Sequence, residues 1–259
     1  MALSAAEISD LKRAKNLLET PGLAARISDL VGSPIESGLK KLPESLGVIV
    51  NGVARKSIEK ALDVALLTID RDDRGASSNW WHKLAAGASG AAGGAFGLAA
   101  LALELPVSTT IMLRSIADIA RSEGEDLNCP ENRLQCIQVL ALGGKSKGDD
   151  AAEASYFAAR AALAKAVSDA AKHLAGKGVS QSGAPAVVRL ISQVAARFSI
   201  VVSEKAAAQA VPLVGAFGGA AINTLFIDHF QDMGRGHFII RRLERLHGPE
   251  EVRRLYDAL

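Results

Sequence analysis

The chain has 259 residues and a formal net charge of +2; 49% of it is hydrophobic but only 4% aromatic. That length suits one large domain or two small ones with a sizeable core, and the charge is too small to demand a nucleic-acid partner. Alanine and leucine supply the apolar bulk, which favours helices over strands.

The opening MALSAAEISDLKRAK lacks a charged segment followed by an apolar one, so no secretory signal is expected. Ser4 with Glu7 three residues later is a capping box, and Ile8, Leu11 and Leu18 continue it as an amphipathic helix over 4–19. Pro21-Gly22 breaks the chain before a short helix near 22–31. Pro34 and Pro43 suit the first turns of two more helices, the second reaching about Ile69 with Ile58, Leu62, Ala65 and Leu66 on its face. DRDDRGASS (70–78) is a loop, and Asn79 is a good N-cap before Trp80 and Trp81.

Residues 84–103 form the first of two uncharged runs, with nine alanines, five glycines, four leucines and one phenylalanine. Pro106 should end or kink this helix, which resumes at Ser108 and stops at Gly124, a natural C′ residue. Pro130 opens a helix to about Leu142, closed by Gly143-Gly144, and 143–150 is a flexible loop. An alanine-rich helix over 151–175 should stop at Gly176, and another spans about 185–210. The second uncharged run covers 206–227, interrupted by Gln209, Pro212, Asn223 and Thr224. Its helix continues past Gly234 and Gly236 to His247, and Gly248-Pro249 starts a final short helix. The expectation is an all-α fold, one compact domain of about ten helices over 1–259, with 1–78 as its N-terminal helices. Cys129 and Cys136 lie about 10 Å apart along one helix axis, too far for a disulfide, which fits a reducing compartment.

An offset of 124 residues pairs Glu104 with Asp228, Ile116 with Ile240, Arg121 with Arg245 and Gly124 with Gly248. This is a weak internal repeat, of the kind that either a structural duplication or chance matching of common residues produces.

Each uncharged run is long enough to cross a bilayer. The five large residues of 84–103 are worth only about −2 to −3 kcal/mol on insertion, so spontaneous insertion is marginal. Spacing says more. Gly90 and Gly94 are four apart, Gly97 follows Gly93 by four, and Gly215 and Gly219 repeat the interval. Such stripes let helix backbones approach closely, in lipid or in a soluble bundle. The runs read best as central helices wrapped by amphipathic ones, with peripheral membrane contact as the competing reading.

Arg114, Asp118, Arg121 and Glu125 form a helical stripe that suits either an anion site or a solvated ion-pair face. His237, Arg241 and Glu244 share a face, with Asp228 and His229 upstream. No HxxxH or HExxH spacing occurs, and His229 and His237 are rotated about 80° apart, so no metal and no cofactor is expected. Asn223, an amide in an apolar run, needs a partner if buried, which makes it an interhelical contact. There is no nucleophile elbow and no P-loop.

The stretch AAGASGAAGGAFGLAALALELPVSTTIMLRSIADIARSEGEDL resembles the EcsC protein family, as does GAFGGAAINTLFIDHFQDMGRGHFIIRRLERLHG; together they cover about a third of the chain. The resemblance implies an all-helical bacterial protein. The founding member is encoded beside an ABC transporter, and some members carry a peptidase-like label. No catalytic residues come with it. It marks Pro106, Arg114, Asp118, Gly124, Asn223, His229, His237 and Arg241 as motif positions without roles. The reading that follows is a cytoplasmic or peripheral accessory protein meeting a membrane surface or a membrane protein, such as an ABC transporter, through its glycine-rich helices. The alternatives are a module binding a lipid-like ligand and an uncharacterised hydrolase using the Arg114 stripe with His229 or His237.

Overall fold

A computed structural model describes residues 3–19, 22–31, 44–68, 97–143, 156–177, 184–209 and 218–259. Every regular element among them is helical. In chain order these are α1 (Ala5–Glu19), α2 (Leu23–Val31), α3 (Glu44–Thr68), α4 (Gly97–Ser122) and α5 (Pro130–Leu142). Then come α6 (Tyr156–Lys177), α7 (Pro185–Gln209), α8 (Gly218–His247) and α9 (Pro249–Ala258). The Pro34 helix, the 70–78 loop, the Asn79 cap, Trp80, Trp81, residues 84–96, the 144–150 loop and Pro212 lie outside the described residues.

The start of α1 follows from its capping box. Ser4 N–H donates to Glu7 Oε2 at 2.7 Å, and Glu7 N–H donates to Ser4 Oγ at 3.3 Å. The end of α4 is equally specified. Gly124 has φ +80, and the Gly124 and Glu125 N–H groups donate back to the Arg121 and Ala120 carbonyls at 3.0 and 2.9 Å. That pair of bonds is a Schellman motif. Gly248 takes φ +86 where α8 gives way to α9. Both glycines have positive φ, but Gly248, with ψ 148, lies outside the left-handed helical region that the Schellman turn at Gly124 uses.

Two boundaries differ from expectation. Pro106 does not end its helix; α4 runs unbroken from Gly97 to Ser122. Beside the proline, Ser108 Oγ donates to the Glu104 carbonyl at 3.1 Å and Thr110 Oγ1 to the Pro106 carbonyl at 2.8 Å, ordinary side-chain back-bonds within the helix. Gly176 likewise lies within α6 rather than stopping it. As expected, the helix of the second run continues past Gly234 and Gly236 to His247. A Cβ at Gly236 would lie 2.6 Å from Leu18 Cγ and 3.1 Å from the Ala14 carbonyl oxygen. Gly236 is there because α1 packs that closely.

The long helix α8 is the hub, with α1, α2, α4, α5, α7 and α9 all packed on it. α4 and α8 run parallel: Ser115 meets Gln231 at 2.9 Å, and Glu125 meets Arg241 at 2.7 Å further along both. α7 runs antiparallel to α8, since Lys205 meets Asn223 while Phe198 meets Phe230 edge-to-face. One large core joins α2–α8. A second, smaller core ties α1 and α9 to the C-terminal half of α8 through Leu11, Ile240, Leu243, Val252 and Tyr256.

Among the described residues one helix is long and apolar enough to cross a membrane: α7, over Pro185–Ala208, with mean hydropathy 1.5 and 44% of the stretch buried. Its apolar residues Val187, Leu190, Ile191, Val194, Phe198, Val201 and Val202 are buried at helical spacing, while Arg189 and Gln193 are exposed. That is the pattern of a core helix.

Candidate functional site

Lys205 continues the apolar face of α7 after Val201 and Val202, so its ammonium enters the core. The side chain is fully buried. Its Nζ donates to Glu104 Oε1 of α4 at 2.6 Å and to Asn223 Oδ1 of α8 at 2.8 Å, and lies 4.6 Å from the Phe226 ring centroid. Burial pushes the lysine pKa down, and the Glu104 charge opposes that shift. One turn-neighbour away, Glu204 accepts the Ala24 N–H of α2 at 3.2 Å, so a fourth helix is anchored beside the cluster.

The second polar assembly lies on the C-terminal half of α8. The Schellman turn points Glu125 inward, and its carboxylate is 1% exposed. Arg241 grips it with two bonds, Nε to Oε1 at 2.7 Å and an Nη2 bond to Oε2 at 3.2 Å, and Arg245 also bonds Oε1. Arg241 further donates to Asn132 Oδ1 of α5 at 3.1 Å. A turn away, Tyr156 Oη and His237 Nδ1 are 2.8 Å apart. Arg160 holds Glu244 with bonds of 2.8 and 2.6 Å and reaches Tyr156 Oη at 3.4 Å. Burial pushes the Tyr156 hydroxyl up to about 12 and, with Arg160 and Arg241 nearby, holds His237 well below the usual histidine range. Both rings are therefore neutral near pH 7. With Arg160 donating to Oη, the tyrosine proton goes to Nδ1, which leaves the His237 proton on Nε2.

The expected site residues divide into separate groups. Asp118 and Arg121 pair with each other at 3.4 Å on the surface, with side chains 74% and 50% exposed. Arg114 and Asp228 are half-buried and have no ion-pair partner among the described residues. Glu125 leaves the stripe at Gly124 and turns to α8. His229 is buried with its ring against Gly143. Asp118 and Arg121 are exposed and Arg114 is half-buried, whereas His229 and His237 are both buried. Asn223 does join helices, through Lys205. Gly97 and Gly219 fall in the first turns of α4 and α8, while Gly90, Gly94 and Gly215 lie outside the described residues. No group of three or more metal-ligating side chains occurs among the described residues.

Sequence reasoning passed over Lys205, Tyr156 and Arg160. Lys205 was detectable as a charge in register with an apolar face, directly before an uncharged run. Nothing local distinguishes Arg160 from the other basic residues of α6.

A model of the EcsC protein family matches residues 12–243. The chain belongs to the EcsC protein family. No curated protein and no solved structure matches it. The EcsC match takes in the Lys205 cluster and the Glu125–Arg241 pair, and stops before Glu244 and α9. The two assemblies thus sit at opposite ends of the α4–α8 pair that the match covers.

Proposed function

We propose that this EcsC-family protein is a helical accessory protein that contacts a membrane, or a membrane protein such as an ABC transporter, through its two uncharged runs. One observation carries the reading. Glu104 closes the first run, Lys205 directly precedes the second, Asn223 lies within it, and the three side chains meet. From that point α4 extends back to Gly97 for about 10 Å, α7 on to Gln209 for about 6 Å and α8 back to Gly218 for about 8 Å. Because α4 and α8 are parallel and α7 is antiparallel, all three project from the same end of the domain. The opposite end, about 27 Å away along α4, carries the Glu125, Arg241 and Arg245 assembly. A body with uncharged helix ends at one pole and paired charges at the other suits docking at an apolar boundary.

Flotation of the full chain with vesicles of phosphatidylglycerol and phosphatidylethanolamine, and with phosphatidylcholine alone, tests this. The protein is expected to float with at least one of them. Protein left entirely in the dense fraction with every vesicle would refute lipid contact. A lipid retained in native mass spectrometry without flotation would favour the ligand-binding alternative.

A further inference from the structure

A buried lysine is a costly way to join three helices. Replacing a buried ion pair by apolar residues of similar volume is often neutral or stabilising, so such a pair is better suited to fixing register or switching than to adding stability. In this chain the cost falls at one location. Two of the three ammonium donors of Lys205 are taken by Glu104 and Asn223, and the Phe226 ring covers part of the remainder. Lys205 itself is out of reach of solvent, but the Glu104 side chain is 33% exposed. The cluster can therefore be undone from outside by whatever draws Glu104 away. Once Glu104 leaves, Lys205 retains a single neutral acceptor and must either move to water or give up its proton. That movement would separate the ends of α4, α7 and α8.

We propose that Glu104, Lys205 and Asn223 form a releasable charge latch. Closed, it holds the roots of both uncharged runs against the domain; open, it frees them for membrane contact. The second half of this statement rests on the membrane reading above. The energetic asymmetry gives a clear signature. Removing Glu104 alone opens the latch, because a buried cation loses its counter-charge. Removing Glu104 and Lys205 together closes it again, because no charge remains to be hydrated.

The test uses the full chain as wild type, Glu104→Leu, Glu104→Gln and the double variant Glu104→Leu with Lys205→Met. Amide hydrogen exchange without lipid reads the latch; flotation with phosphatidylglycerol-containing vesicles reads its consequence. In Glu104→Leu, exchange over 97–103, 206–209 and 218–222 is expected to accelerate together by about tenfold or more, the factor given by about 1.4 kcal/mol. Exchange over 236–247 should be unchanged, and less lipid should give half-maximal flotation. Both readouts should return toward wild type in the double variant. If Glu104→Leu does not fold, Glu104→Gln, which keeps the volume and one acceptor, should show the same pattern with smaller amplitude. Unchanged exchange in the single variants overturns the latch. So does a double variant as fast as Glu104→Leu, because lost volume and not charge would then be responsible. Accelerated exchange with no flotation of any protein overturns the membrane reading alone.

Discussion

Glu125→Gln should be among the most damaging single changes at the charged end of the domain. The carboxylate is 1% exposed and receives bonds from two arginines. Glutamine offers one carbonyl oxygen, and its NH2 group would face an arginine donor. Arg241, 16% exposed, would keep its bond to Asn132 but lose its counter-charge. Breaking a fully buried pair costs about 3–5 kcal/mol. Arg245 is 40% exposed and can turn to water, so its share is discounted. The net expectation is about 2–4 kcal/mol, or a fall in Tm of about 5–15 °C for a domain of this size. Urea unfolding followed by far-UV circular dichroism measures it. A loss below about 1 kcal/mol would refute the reasoning, since it would mean that Arg241 is hydrated at no cost once its partner is gone.

Acid should weaken the fold through its histidines. Burial, then Arg26, holds His229 down at about 4, and His237 lies well below its usual 6.5. The unfolded chain binds these protons first, so stability should fall as pH drops from about 6.5 toward 4, by about 3 kcal/mol for His229 alone. Urea midpoints measured across that window should flatten in His229→Asn; an unchanged slope would contradict the assignment. The Glu7 carboxyl, pulled down to about 2 by its bonds to His247 and then Ser4, contributes stability that is lost lower, as pH falls from 4.5 toward 2. Gly236→Ala should destabilise by about 1–3 kcal/mol, because the Ala14 backbone cannot retreat. Gly234→Ala, whose Cβ would meet Ile116 at an ordinary 3.4 Å, should be neutral or stabilising by up to about 1 kcal/mol. Equal Tm changes in the two would remove the steric account of Gly236.

Local chemistry was legible where the determinant is local. The Ser4–Glu7 box, the Gly124 and Gly248 stops and Pro130 at a helix start each depend on a few adjacent residues, and each appears as read. Pro106 was read as an end or a kink from its missing N–H, and α4 is continuous through it. The candidate site was legible only by halves. The share of Arg241 and His237 in one helical face follows from spacing, but their partners Glu125 and Tyr156 are 116 and 81 residues away in the chain. Glu125 in particular continues the Arg114 stripe in helical register, and one glycine at positive φ redirects it. Asn223 announced its need for a partner; that the partner would be Lys205 depends on the antiparallel packing of α7 and α8.

The seating of α1 has a kinetic consequence. Its anchors are Asp10 to Arg242, Glu7 to His247 and Lys15 to the Tyr256 carbonyl, contacts spanning 232 to 241 residues. At synthesis rates of about 5–20 residues per second, α1 waits roughly 12–50 s for the surface it packs on. Throughout that interval Leu11 and Ala14, buried in the finished fold, lack the α8 and α9 members of their core. A helix made before the surface it packs on is thus among the last to dock, and a nascent chain of this protein offers holding chaperones an early and lasting apolar target.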